Sequence, residues 1–207
     1  MTSTPRKVTL ALALTALLVG AAATPALAAP IVRNGSFETG DRTRCRLSDR
    51  GEGTWTVYDD LGDIDGPVIE PPHGEFAIAT EQPGPGSHVL HQKVRLPEGE
   101  RLRLKFALSY ESGPPIETPN TLRHDAGVDN QQFRVDVLKP RARLRILNPR
   151  AILATAFRTR EGDPESLSLR TISKDLTRLG GRTVRLRFAE VDNQGNFHVV
   201  IDRVRIV

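Results

Sequence analysis

Large apolar residues alternate with polar ones along much of this chain. The clearest run is Leu102 to Tyr110, in which every second side chain is large and apolar. Phe133 to Val137 and Val184 to Phe188 repeat the pattern, with charged residues at intervening positions. A period of two is typical of antiparallel strands that bury one face. The pattern therefore predicts an all-β fold.

Shorter runs predict further strands, and turn-forming residues separate them at intervals that suit a sandwich. The additional strand candidates are Ile31–Val32, Thr54–Tyr58, Phe76–Thr80, His88–Leu96, Ala142–Leu147, Leu167–Ile172 and Phe197–Val207. Helix signals are weak, and Ser173–Leu179 is the best candidate for one or two helical turns. Residues 111–130 are rich in Gly, Pro, Asn and Asp, which predicts a long surface loop. We expect a two-sheet antiparallel β-sandwich.

The first 28 residues have the pattern of a signal peptide. A short basic start at Arg6 and Lys7 precedes the apolar run from Val8 to Ala23, and Ala26-Leu27-Ala28 predicts cleavage before Ala29. An uncleaved anchor is the alternative, but the apolar run is shorter than the ~20 residues that span a bilayer. We therefore expect an exported, extracellular protein without a stable membrane span, folded as a single domain over residues 29–207.

Composition narrows the possible partners. The 28-residue leader holds two of the 29 basic residues and none of the 25 acidic ones, so the net charge falls from +4 to +2. That charge, without a recognisable binding motif, argues against nucleic acid. Cys45 is the only cysteine, which excludes an intrachain disulfide and a cysteine-rich zinc site.

Two segments near the ends of residues 29–207 resemble galactose-binding-like jelly rolls, which occur in many bacterial carbohydrate-binding modules. The first reads I-V-R-N-G-S-F-E-T-G over residues 31–40 and is followed by Trp55. The second is the strand pattern G-x-x-V-x-L-x-F at residues 181–188, followed by Ile201–Ile206. The resemblance implies a jelly-roll sandwich and a non-catalytic, secreted module that binds carbohydrate or a cell surface. A structural or adhesion domain of the cell envelope and a glycoside hydrolase remain as alternatives.

Glu38 and Asp202 are the candidate metal ligands. The first and last strands of a jelly roll can lie side by side, which would bring the two carboxylates together, and hard cations such as Ca²⁺ prefer oxygen ligands. The resemblance also implies a structural calcium ion here, with backbone carbonyls of residues 34–36 as further ligands. Alternatively, Glu38 caps a turn and Asp202 pairs with Arg203 or Arg33.

No catalytic motif is recognisable. His88 and His91 are three residues apart, which on a strand places them on opposite faces, so they cannot share a metal ion. They are expected to be surface or rim histidines. Paired carboxylates could make a glycosidase, and Asp59, Asp60, Asp63 and Asp65 are the candidates, but an acidic loop is more often solvated.

The candidate ligand-binding residues lie opposite the predicted core face. Tyr58 is the best candidate for stacking on a sugar ring. The candidates that would form a basic patch, if their strands share a sheet, are Arg103, Lys105, Gln132, Arg134, Arg185 and Arg187. Guanidinium groups in such a patch would bind an acidic extracellular glycan or cell-wall polymer. The alternative is a solvated sheet face whose arginines pair with nearby acids.

Overall fold

The computed structural model describes residues 29–64, 66, 68–81 and 84–207. The signal peptide predicted at residues 1–28 lies outside the described residues. The strands in chain order are β1 (Arg46–Gly51), β2 (Thr54–Tyr58), β3 (Ala77–Glu81), β4 (Gly86–Arg95), β5 (Arg103–Ser112), β6 (Gln131–Leu138), β7 (Ile152–Arg158), β8 (Ser166–Asp175), β9 (Thr183–Asp192) and β10 (Phe197–Ile206).

These strands form two five-stranded antiparallel sheets. The first, sheet A, has the order β1-β4-β9-β6-β7, and the second, sheet B, has the order β2-β3-β10-β5-β8. The alternating apolar residues of both sheets meet in one core, in which Trp55, Phe106 and Phe133 are fully buried. The predicted all-β jelly-roll sandwich is confirmed.

Two predicted strands are wrong and two observed strands were missed. Ile31–Val32 lies in bends and turns, and Ala142–Leu147 has no strand residues. The missed strands are β1 and β7, which are the outer strands of sheet A. The side chains of β1 are mostly exposed and those of β7 mostly half-buried, so neither strand alternates between a buried and an exposed face.

Residues 139–148, which we call the covering segment, pack on the outer face of sheet A. Leu144 and Leu147 contact a small buried cluster that contains Val89 and Ala189. This burial accounts for the strand-like apolar alternation of a segment that pairs with no strand. Its carbonyl groups accept hydrogen bonds from arginine side chains instead.

The remaining connections include short turns and more than one long loop. Strand β8 extends to Asp175, and the helical turn expected at Ser173–Leu179 is limited to a 3₁₀ turn at Thr177–Leu179. Residues 113–130 connect β5 to β6, with one isolated bridge between Glu117 and Gln131. Within the described ranges, no helix is long and apolar enough to cross a membrane.

Candidate functional site

The six residues proposed for a basic patch lie on two different sheets. Arg103 and Lys105 project from β5 in sheet B, whereas Gln132 and Arg134 lie on β6 in sheet A. Arg185 and Arg187 lie on β9, also in sheet A. The outer faces of the two sheets lie on opposite sides of the sandwich, so the six side chains do not form one patch.

Asp136 joins two of these arginines in a buried network on sheet A. Arg134 Nε lies 2.6 Å from Asp136 Oδ2, and Arg187 Nη2 donates to the same oxygen. Burial by itself raises the pKa of the Asp136 carboxyl, but the hydrogen bond from Arg134 and the charges of Arg187 and Arg134 lower it overall. Asp136 and Arg187 are fully buried, so this network is inaccessible to a large ligand.

Arg187 and Arg185 also hold the covering segment on the sheet. Arg187 Nη1 donates to the carbonyls of Leu144 and Ile146 at 2.7 and 2.8 Å. Arg185 donates to the carbonyls of Ala142 and Pro140, both at 2.8 Å. The Nη atoms of both arginines therefore donate within the protein, whereas neither Nε has a hydrogen-bond partner among the described residues.

Gln132 and Tyr58 are buried as well. Gln132 Nε2 donates to the Thr121 carbonyl at 3.0 Å and so anchors the loop between β5 and β6. Tyr58 is 1% exposed and donates its hydroxyl to the Ile69 carbonyl at 2.6 Å. Burial first, and the nearby Asp202 charge second, raise the pKa of Tyr58. The interpretation of Tyr58 as an exposed stacking residue is wrong, because the segment around Ile69 covers it.

An open groove runs between β7 and β8, the outer strands of the two sheets on one side of the sandwich; we call it the seam groove. Its first part is a cleft of about 700 Å³, lined by Tyr110, Phe157, Leu167 and several charged residues. Phe157 is half-buried and packs near Tyr110, with ring centroids 6.4 Å apart. The groove thus has an aromatic floor.

The rim of this first cleft is basic. Arg158, Arg160 and Arg170 line it and are exposed, and Asp163 is the acidic residue among its lining. The sequence did not single out these residues because β7 was missed, and Arg170 on the predicted strand Leu167–Ile172 was not among the candidates. The three arginines between residues 158 and 170 are the one signal that the sequence offered.

A second cleft, of about 990 Å³, lies at the other end of β7 and β8, and we count it as the second part of the seam groove. Arg103 and Lys105, two of the predicted ligand-binding residues, line this part together with Arg101, Lys174 and Arg178. The structure therefore places these two residues beside a basic groove, whereas the other five predicted ligand-binding residues lie elsewhere.

Glu38 and Asp202 lie close enough for the charge of Glu38 to act on Asp202. Burial first, with Glu38 adding to it, raises the pKa of the Asp202 carboxyl to about 6, against the opposing hydrogen bond from the Arg203 amide. Asp202 is fully buried, and its Oδ2 has no hydrogen-bond partner among the described residues. Glu38 is exposed, and its Oε2 accepts a hydrogen bond of 3.0 Å from the Glu75 amide. We call these two carboxylates, the first exposed and the second buried, the Glu38–Asp202 pair.

The turn beside this pair has a specialised backbone. Asn34 and Phe37 adopt positive φ values of 48° and 59°. A side chain on Gly74 would collide with the Glu38 carboxylate, which shows how closely that loop approaches. The Glu38 carboxylate, whose charge acts on Asp202, is an oxygen ligand of the kind that Ca²⁺ prefers.

The other candidates are placed as follows. Asp60 accepts a hydrogen bond of 2.8 Å from the Gly62 amide and so caps a 3₁₀ turn; Asp65 and the side chain of Asp63 lie outside the described residues. His88 is fully buried, so its interpretation as a surface or rim histidine is wrong. His91 lies on the opposite face of β4, and burial first, then the Arg185 charge, lower its pKa to about 4.

No protein-family model matches the chain, and no curated protein matches it in sequence. Solved structures do match. The module TmCBM61 in complex with β-1,4-galactotriose has a TM-score of 0.56 at 14% identity, covering 87% of this chain and 99% of the module. A cleaved adhesin domain of the Lys-gingipain from Porphyromonas gingivalis has a TM-score of 0.54 at 12% identity, covering 86% of this chain and 99% of that domain.

A third match is the enzymatically active domain of tailspike protein 4 from bacteriophage CBA120. Its TM-score is 0.50 at 13% identity, over 86% of this chain but 21% of the tailspike chain. Sequence identities this low support a shared fold and no shared function. The chain has the galactose-binding-like jelly-roll fold that is found in carbohydrate-binding modules and adhesin domains.

Proposed function

We propose that this chain is a non-catalytic carbohydrate-binding module that acts outside the cell and holds an acidic glycan or cell-wall polymer in the seam groove. The observation that carries the proposal is the groove itself, an open cleft with an aromatic floor and a basic rim on this fold. Sugar rings pack on aromatic faces, and guanidinium groups bind carboxylates in bidentate pairs.

The arrangement of the groove supports an extended, negatively charged ligand. Exposed arginines line one end of it, and Arg103, Lys105 and Lys174 lie towards the other. A chain that follows the seam would meet several positive charges at each end of the groove, beside Asp163 at one end and Asp175 at the other. Phe157 lies on β7, the outer strand of sheet A, and its half-buried side chain lines the groove.

Affinity electrophoresis of the purified protein against neutral and acidic polysaccharides tests this proposal. We expect retardation in gels that contain an acidic polymer such as a polyuronate, and weaker retardation at high salt. The double variant Arg158→Ala/Arg170→Ala should lose most of this retardation, and Phe157→Ala should weaken binding by about fivefold, since a stacking contact contributes about 1 kcal/mol.

Arg141→Ala is the matched control, because Arg141 is an exposed arginine of the covering segment and does not line the groove. It should leave the retardation unchanged. Equal migration of the wild-type protein in every gel would overturn the proposal. Retention that persists in the double variant would move the binding site away from the seam groove and favour an adhesion surface elsewhere.

We further propose that Glu38 and Asp202 hold a structural calcium ion. The buried Asp202 oxygen without a hydrogen-bond partner supports this, because a buried carboxylate is costly unless a cation or a proton neutralises it. The adjacent Glu38 supplies a second carboxylate. When bound, the ion would neutralise this pair and fasten the turn at residues 34–38 to the last strand.

Thermal unfolding with and without calcium tests this second proposal. We expect Ca²⁺ to raise the melting temperature and EGTA to lower it, as mass action requires for a ligand of the folded state. Glu38→Gln and Asp202→Asn should abolish the calcium-dependent shift, whereas Glu75→Gln, which alters a neighbouring exposed carboxylate, should retain it. An unchanged melting temperature in the wild-type protein would exclude the ion.

A further inference from the structure

A histidine and two carboxylates lie together inside the sandwich, apart from the pair at Glu38 and Asp202. In the antiparallel register of β4 and β9, His88 is opposite Glu190 and Gly86 is opposite Asp192. His88 has the same parity as the core residue Leu90, and Glu190 and Asp192 have the same parity as Phe188. All three polar side chains therefore point towards the interior between the sheets.

The three side chains converge within a small space. One ligand atom from each of His88, Glu190 and Asp192 lies within 4.8 Å of the others. His88 and Glu190 are fully buried and Asp192 is 2% exposed. This is the one group of three or more potential metal-ligating side chains among the described residues.

Neighbours at both ring nitrogens determine the orientation of the His88 ring. Its Nδ1 lies 3.2 Å from Asp49 Oδ1, on the neighbouring strand β1. Its Nε2 has no hydrogen-bond partner among the described residues and lies against Gly86, where any Cβ would collide with it. Because the Gly86 amide donates to Asp192 Oδ1 at 2.9 Å, the free nitrogen is on the side of the Asp192 carboxylate.

Burial makes this arrangement costly unless a cation or protons neutralise it. Asp192 is buried and accepts a hydrogen bond of 2.9 Å from the Gly86 amide at Oδ1. Glu190 is a second carboxyl group within the same buried space. A divalent cation would neutralise both carboxylates and satisfy the free imidazole nitrogen at once.

We propose that His88 Nε2, Glu190 and Asp192 bind a divalent transition-metal ion of the zinc class. An imidazole with two carboxylates is a donor set that Zn²⁺ accepts in tetrahedral sites, whereas Ca²⁺ and Mg²⁺ prefer oxygen alone. The carboxylate of Asp49 on Nδ1 is the outer partner that metal-bound histidines usually have, and it directs Nε2 to the ion. The ion would fasten β4 to β9 inside the core of a chain that has no disulfide.

Cobalt and zinc titrations of the chelator-stripped protein test this site. We expect Co²⁺ to bind with one ion per chain and to produce visible absorption bands typical of tetrahedral coordination, and Zn²⁺ to displace it. Zn²⁺ should also raise the melting temperature. His88→Gln should abolish the cobalt bands, and Asp49→Asn should weaken Zn²⁺ binding by about 10- to 100-fold, as expected for loss of an outer partner.

Two control variants separate this site from other metal binding. His91→Gln changes the histidine on the opposite face of β4, and Asp202→Asn removes the proposed calcium ligand; both should retain the cobalt bands. Because His88→Gln removes a fully buried group and can impair folding, ¹⁵N NMR of the wild-type histidines provides a second measurement. Zn²⁺ should shift the Nε2 resonance of one histidine whose Nδ1 remains protonated.

The proposal is overturned if the stripped wild-type protein binds neither Co²⁺ nor Zn²⁺ at stoichiometric concentration. In that case the cluster is neutralised by protons alone. It is equally overturned if folded His88→Gln retains the tetrahedral cobalt spectrum, because the ion would then lie elsewhere.

Discussion

At the scale of single residues, Gly35 is required by a close approach between the two ends of the domain. Its φ is not in the left-handed region; the preceding Asn34 adopts the positive φ of the turn. A Cβ on Gly35 would collide with the Val204 carbonyl oxygen, and the Val204 amide donates to the Gly35 carbonyl at 2.7 Å. The glycine of this N-G-S-F turn therefore lets the backbone lie directly on the last strand.

Gly35→Ala should consequently destabilise the protein by about 1–3 kcal/mol, because the added methyl group forces the turn away from β10. Urea unfolding followed by the fluorescence of Trp55, the only tryptophan, measures the change. Gly113→Ala is the matched control, since the nearest atom to its Cβ is 3.8 Å away and its φ is not positive. Equal effects of the two substitutions would contradict the close-approach explanation.

At the scale of elements, the arginines of sheet A are structural side chains. Asp136 neutralises Arg134 and Arg187, and Thr155 on β7 donates to Asp136 Oδ1 at 2.7 Å. Arg185 and Arg187 on β9 hold the covering segment through its carbonyls. Arg145 of that segment donates in turn to the carbonyls of Ser48 on β1 and Ser87 on β4. This network connects β6, β7 and β9 with a segment that has no ladder hydrogen bonds.

Asp136→Asn should lower the free energy of unfolding by about 3–5 kcal/mol at pH 7, because it leaves buried guanidinium charge without its partner. The pKa of Asp136 is lower in the folded protein than in the unfolded chain, so its contribution is complete above about pH 4 and is lost as the pH falls through the folded pKa. Urea unfolding of both proteins from pH 7 to pH 2 should therefore show a difference that narrows below about pH 4. A difference that is constant over this range would contradict the assignment.

At the scale of the whole molecule, the two sides of the sandwich differ. On one side the outer strands β7 and β8 leave the open seam groove, whose floor is part of the core. The proposed zinc and calcium sites do not line this groove. Loss of either ion should thus change stability before it changes glycan binding, and the three proposals can fail independently.

Much of the architecture could be predicted from the sequence, because alternation assigns each strand an inner and an outer face. Leu102–Tyr110 and Val184–Phe188 are central strands, and neighbours on both sides keep their inner faces fully buried. The outer strands β1 and β7 have one neighbouring strand each and are less buried, so their alternation is weaker. The motif predicted the turn at Asn34-Gly35. The structure shows that Gly35 is needed there for close approach to Val204, and that Asn34 has the positive φ.

The arrangement of the functional side chains could not be predicted in the same way. Alternation determined by itself that Arg103, Arg134 and Arg187 face away from the core. Only the tertiary structure decided that they lie on different sheets and that the covering segment buries Arg187, because strand order and the packing of loops depend on contacts distant in sequence. The same reason applies to His88, whose register opposite Glu190 turned a presumed rim histidine into the centre of a buried cluster.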